Sequence, residues 1–218
     1  MKVRIMNKII NLGKIKTSTF ELIDITKAWL ALSLAFAFVF SGFTLFSGNF
    51  FINIFSWQFL ILFLISLVTA GLGFLLHELG HKFAAQHYGC AAEFRAYDQM
   101  LYLALGLAML IGFIFAAPGA VMISGMLTRK ENGIISAAGP LINYMLALIF
   151  LGLTFISTNS TANFIFWTGF QINSWLGLFN LIPFGMFDGK KILEWSRYVW
   201  GGMTALGIFY VFFFRSLI

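Results

Sequence analysis

His77 and His81 stand four residues apart in His77-Glu78-Leu79-Gly80-His81, at the end of a long apolar run. On a helix this spacing puts both imidazoles on one face, where their nitrogens can reach a single metal ion. Glu78 points roughly 100° around the helix from His77 and falls beside the ion, within reach of a water rather than of the ion itself. Two ligands and one general base are the parts needed for metal-assisted hydrolysis. Gly80 has no side chain, so a partner helix can pass close. The chain has three histidines, and His87, six residues past His81, is off this face and reads as surface. The plain alternative is that His77 and His81 hydrogen-bond to a neighbouring helix near a membrane boundary.

The elements that must position these groups lie in lipid. Of 218 residues, 60% are hydrophobic and only 10% charged, 28 are Phe, and the mean hydropathy is +0.90, which describes an integral membrane protein. Polar groups inside such a chain are costly and mark function. The single cysteine, Cys90, excludes an internal disulfide and a thiolate metal site and reads as packing. The net charge of +6 comes without a basic face interleaved with aromatics, so nucleic acid is excluded as a partner, and membrane orientation explains the charge instead.

Residues 1–28 carry Lys2, Arg4, Lys8, Lys14, Lys16 and Lys27 against Glu21 and Asp24. They have no cleavable signal pattern and read as a basic cytoplasmic N-terminal segment on anionic lipid. The rest, 29–218, reads as a single membrane domain with its core at 57–198. Ser18-Thr-Phe-Glu21 fits a capping box, which starts a helix at Thr19 leading into a first span near Trp29–Phe46. An uncharged loop, Ser47–Ser56, precedes a second span, Trp57–Leu76, that continues through the histidines to about Tyr88. A polar stretch, Gly89–Asp98, and an apolar one, Leu101–Ala117, follow. Further spans are expected near Ile134–Ile156, Asn163–Ile182 and Trp200–Phe214, with an amphipathic Lys190–Tyr198 before the last. The expected architecture is an all-α polytopic protein of about five transmembrane helices plus one re-entrant element.

Thirteen of the fourteen basic residues fall on one side if the loops bearing them face the cytoplasm, and only Arg215 lies outside. The chain is then a multi-pass cell-membrane protein with a cytoplasmic N-terminus. Lys82 directly follows His81, so the histidines sit on the cytoplasmic half of their helix, with His77 about 7.5 Å deeper.

A catalytic zinc takes three protein ligands and keeps a position for water, so the histidines need a partner. Glu93, Asp98 and Asp188 are the candidates. Asp188 is favoured because Asn180, Pro183 and Gly189 around it give the irregular backbone that membrane proteins keep where a cavity is lined. Asp188 also suits an N-cap of the following amphipathic segment, and the two roles are compatible.

His77-Glu-Leu-Gly-His81, Gly139-Pro-Leu-Ile-Asn143 and Asn180-Leu-Ile-Pro183-Phe-Gly-Met-Phe-Asp188-Gly189 together resemble the three signatures of the site-2 protease family of intramembrane zinc metalloproteases. The resemblance covers about Trp57–Tyr198, and Phe187 stands where the family often has Leu. It implies one Zn²⁺ held by His77, His81 and Asp188, Glu78 as general base, and Asn143 and Asn180 orienting substrate or holding an oxyanion. It also implies transmembrane protein substrates within the lipid bilayer. A dipositive ion facing one carboxylate and one hydroxide is neutral, which suits a poorly solvated site.

For Asp188 to meet the histidines, Leu101–Ser124 must dip in and return, turning near Ala116-Ala-Pro118-Gly119. A true span would separate the two ligand sets. Pro118, Gly119 and Val121 begin a run of β-branched residues bounded by glycines. It is expected to offer an edge for an unwound substrate strand, and a plain connecting loop is the alternative. The competing functional readings are a membrane metalloprotease whose third ligand is a Glu, for which only Glu194 offers itself, and an inactive metal-binding scaffold or transporter.

Overall fold

The computed structural model describes residues 8–12, 15–114 and 119–213. A ribbon of β1 (Ile9–Leu12) and β2 (Ile15–Ser18) opens the chain and leads into helix α1 (Thr19–Ser41). Ser18 caps α1, its Oγ accepting from the Glu21 N–H at 3.2 Å, and left-handed Gly42 closes it. The helix runs unbroken through the domain boundary expected at residue 28. The stretch read as an uncharged loop contains a short helix, α2 (Phe50–Ile54).

The histidine-bearing helix is one rod, Trp57–His87, made of α3 (Trp57–Ser66), a π-helical turn (Leu67–Gly71) and α4 (Leu72–His87). The wide turn leaves carbonyls available to neighbours. Leu67 accepts from Trp29 Nε1 at 3.1 Å, and Thr69 from Asn173 Nδ2 at 3.5 Å.

After α4, β3 (Ala91–Ala96) pairs antiparallel with β4 (Gly119–Ser124), Ala96 lying opposite Gly119, and helix α5 (Asp98–Ile111) falls between them. The chain therefore leaves the ribbon after Ala96 and comes back to the same end of it. Of the expected turn, Ala116, Ala117 and Pro118 lie outside the described residues. Four helices follow: α6 (Arg129–Ile156), α7 (Ser160–Asn180), α8 (Asp188–Trp195) and α9 (Arg197–Ile208). Thr128 and Glu131 form a reciprocal capping box on α6.

The all-α expectation needs correction, since two ribbons join a predominantly helical fold. In β3, Ala-Ala-Glu-Phe-Arg-Ala, only Phe94 favours a strand, so tertiary contacts and not local propensity make it one. Among the described residues three helices are long and apolar enough to cross a membrane: Thr19–Ser41, Trp57–His87 and Arg129–Ile156.

The burial pattern is that of a membrane protein. Ser33, Thr69, Asn143, Asn173 and Ser174 are fully buried, while Leu64, Leu148, Phe155 and Phe164 are at least half exposed. Polar groups inside and apolar groups outside suit a hydrocarbon solvent. At the centre, α6 packs on α4, α7 and α8. Gly80 permits this contact, because a Cβ there would stand 2.5 Å from Ile142 Cδ1 and 3.2 Å from the Ala138 carbonyl.

Candidate metal centre

Three ligand atoms converge where α4, α6 and α8 meet. His77 Nε2 and His81 Nε2 are 3.1 Å apart, and Asp188 Oδ2 is 3.2 Å from the first and 3.1 Å from the second. All three residues are buried. Asp188 opens α8 without capping it, since Phe187 is the N-cap residue and the Asp188 carboxylate turns to the histidines.

The far nitrogen of each imidazole is tied down. His77 Nδ1 faces Asn143 Oδ1 at 2.6 Å, and His81 Nδ1 faces the Ile135 carbonyl at 2.8 Å. Asn143 Nδ2 donates to the Gly73 carbonyl and to Asn173 Oδ1, both at 3.1 Å, which fixes its oxygen toward His77. Both Nδ1 atoms therefore carry the proton, and both Nε2 atoms present lone pairs. Pro140, inside α6, lacks the N–H that would bond the Ser136 carbonyl, the residue after the Ile135 whose carbonyl faces His81.

Two nitrogen lone pairs and a carboxylate oxygen within hydrogen-bond distance of one another repel unless a cation lies between them. The triangle also has the right size: bonds of about 2.0–2.1 Å in a tetrahedral site put ligand atoms about 3.3 Å apart. The residues fit Zn²⁺. Gly139 of α6 keeps the space clear, since a Cβ there would lie 2.5 Å from His81 Nε2 and 2.6 Å from His77 Nε2.

Glu78 lies in the electrostatic field of all three ligands and against the Val121 backbone N–H. The strand that brings Val121 there has one edge without a strand partner among the described residues. Phe94 directs its N–H away from β4, to Glu21 Oε1, so the Phe94–Val121 pair has no ladder bonds and Gly119, Val121 and Ile123 point their backbone groups outward. The outer edge of β3 is occupied. Gln86 donates to the Ala92 carbonyl, Glu21 accepts from Phe94, and Asp24 accepts from Ala96. No strand covers the outer edge of β4 among the described residues.

The other sequence candidates lie elsewhere. Glu93 bonds Ser18 and Arg95, exposed Asp98 pairs with Lys27, and Glu194 is exposed. Asn180 Nδ2 donates to the Leu176 carbonyl of its own helix. Asn143 sits behind His77 with both amide ends engaged, so its contact is to the His77 ring and not to open space. Lys82, read as a boundary charge, is buried at 2% exposure against Glu21. Asn173 and the inward contact of Glu21 have no local signal in the sequence, because their partners are 30 and 61 residues away.

Comparison with curated proteins adds the family. The chain is 38% identical over 193 residues to MJ0611 of Methanocaldococcus jannaschii, covering 86% of this chain and 91% of the relative, which carries a zinc metalloprotease name. This chain belongs to that zinc metalloprotease family. It is also 36% identical over 146 residues to Rip2 of Mycolicibacterium smegmatis, spanning 56% of that protein. Over 122 residues it is 31% identical to MJ0392 of M. jannaschii, spanning 30% of it. Rip2 too carries a zinc metalloprotease name, and MJ0392 carries it without qualification. No family model matches the chain, and no solved structure does. The family and the donor set agree on zinc as the cofactor, and the relatives are in keeping with the site-2 protease resemblance of the three motifs.

Proposed function

We propose that the chain is a zinc-dependent endopeptidase that cuts spanning segments of other membrane proteins near the cytoplasmic face of the cell membrane. The observation that carries this reading is a metal-ligand triangle among buried helices, with Glu78 and an unpaired strand edge beside it. His77, His81 and Asp188 would hold the ion, which when bound polarises the scissile carbonyl and acidifies water. Glu78 takes the proton of the attacking water and hands it to the amine nitrogen as the C–N bond breaks. Asn143 acts through His77 as a positioning residue. Asn180 spends one Nδ2 hydrogen on the Leu176 carbonyl and keeps the second for an oxyanion.

A helical peptide bond in lipid is shielded, so the substrate must be held extended. The outward backbone groups of Gly119 and the outward carbonyl of Val121 supply donors and acceptors for such a strand; Pro118, assigned to the same edge, lies outside the described residues. In this reading α7 and the last helix also cross, giving five crossings, and residues 98–124 dip in and return, as the Ala96–Gly119 pairing favours. The N-terminus is cytoplasmic on the strength of Lys16, Lys27, Arg129, Lys130, Lys190 and Lys191; buried Lys82 no longer counts.

Purified protein in lipid, given a panel of single-span substrates, should cut within or beside the spanning segment. A zinc chelator should stop cleavage, and added zinc should restore it. If no cut falls in or next to any spanning segment, the reading fails.

A further inference from the structure

The most polar buried group outside the metal centre is the pair of Glu21 and Lys82. Glu21 is fully buried in α1, and Lys82 in α4 is 2% exposed. Their Oε2 and Nζ are 2.6 Å apart, and Thr17 Oγ1 donates to the same oxygen at 2.7 Å. The other oxygen, Oε1, accepts from the Phe94 N–H at 2.8 Å. The three donors to this carboxylate thus come from three different elements: the first ribbon, the histidine helix and the second ribbon.

We propose that Glu21 is a positioning residue that sets the height of strand β4 over Glu78, through the contact chain Lys82–Glu21–Phe94–Val121–Glu78. Both ends of that chain lie on α4. Lys82 is four residues after Glu78, hence on the same face, and the two residues line one small cavity with Phe94, Phe74 and Ile25. Phe94 is directly opposite Val121, whose N–H meets Glu78. The Phe94 ring is wedged edge-on to Phe74 of α4 at 6.0 Å and abuts Gly119, so the strand pair moves with it. Asp24, one turn further along α1, holds the Ala96 N–H at 3.4 Å. Sliding the ribbon along α4 would break the Glu21–Phe94 bond, which points across its direction of travel. The inference rests on the reading of β4 as the strand that receives substrate, and it adds that Glu21 determines which substrate bond faces Glu78.

Two double variants differ at the decisive atom. Glu21→Gln with Lys82→Met removes both charges and keeps an acceptor for Phe94. Glu21→Leu with Lys82→Met removes the acceptor as well, and replacing a buried ion pair by apolar groups of like volume leaves most folds intact. With the full-length protein in lipid and one single-span substrate, the Gln/Met variant should cut at the wild-type bond with KM within about threefold of wild type. The Leu/Met variant should raise KM about tenfold at similar kcat and zinc content, and should spread cleavage to neighbouring bonds, read by mass spectrometry of the products. Amide exchange at Phe94 and Val121 should quicken in the Leu/Met variant alone. A single unchanged cut site and unchanged exchange in that variant overturn the proposal, as does loss of zinc from it, which would make the pair a support of the whole fold. If wild type leaves every spanning segment intact, the protease reading fails, while the exchange comparison still judges the anchor.

Discussion

Glu78→Gln should leave one zinc per chain and reduce cleavage by about 10²–10⁴-fold, the usual weight of a positioned general base. This is roughly 3–5 kcal/mol of transition-state stabilisation. Zinc should stay because Glu78 is not among the three converging ligand atoms. The amide is isosteric with the carboxylate and can still face the Val121 backbone, but it cannot take the water's proton. Metal content and kcat measured on one preparation decide the matter. A metal-binding scaffold or transporter would keep both its zinc and its function in this variant, and an enzyme would keep only the zinc.

Gly139→Ala should abolish zinc binding, although by helix propensity alone it is favourable. Replacing a mid-helix glycine by alanine ordinarily adds about 0.5–1 kcal/mol of stability. Here the added methyl would stand 2.5 and 2.6 Å from the two Nε2 atoms, well inside van der Waals contact. Either α6 withdraws from α4 or both imidazoles turn off the site. A misplacement of 1 Å is enough to cost about 10²-fold in rate. The variant should fold with native helix content, retain well under one zinc per chain after dialysis, and fall at least about 10²-fold in cleavage. Full zinc occupancy would mean that α6 does not press on the metal site.

How much of this is legible in the sequence depends on the distance over which each group acts. His77, Glu78 and His81 are set by helical periodicity alone, so their spacing suffices. Asp188 is 107 residues beyond His81, so only motif resemblance and its irregular surroundings point to it, and α6 packs on both α4 and α8 where the three side chains meet. The capping of α1 by Ser18 was legible because it is local, but the Glu21 side chain does not close the box. It turns inward to Lys82 and Phe94, contacts that no spacing announces. The same fact removes Lys82 from the boundary charges. Asn143 was visible as a motif residue, yet its direction, behind His77 and not toward substrate, is fixed by Asn173 on another helix. The strand at 119–124 had a local signal in its β-branched residues and flanking glycines. Its partner β3 had almost none, because its outer edge is satisfied by side chains of α1 and α4.

The central claim is that two imidazoles of α4 and one carboxylate of α8 share one zinc ion. Zinc-edge X-ray absorption on purified wild type and Asp188→Ala tests it most directly. The account predicts a wild-type shell of nitrogen and oxygen only, at about 2.0–2.1 Å with two imidazole signatures, and loss or rearrangement of that shell in Asp188→Ala. A sulfur neighbour at about 2.3 Å, fewer than two imidazoles, or an identical shell with unchanged affinity in the variant would contradict it.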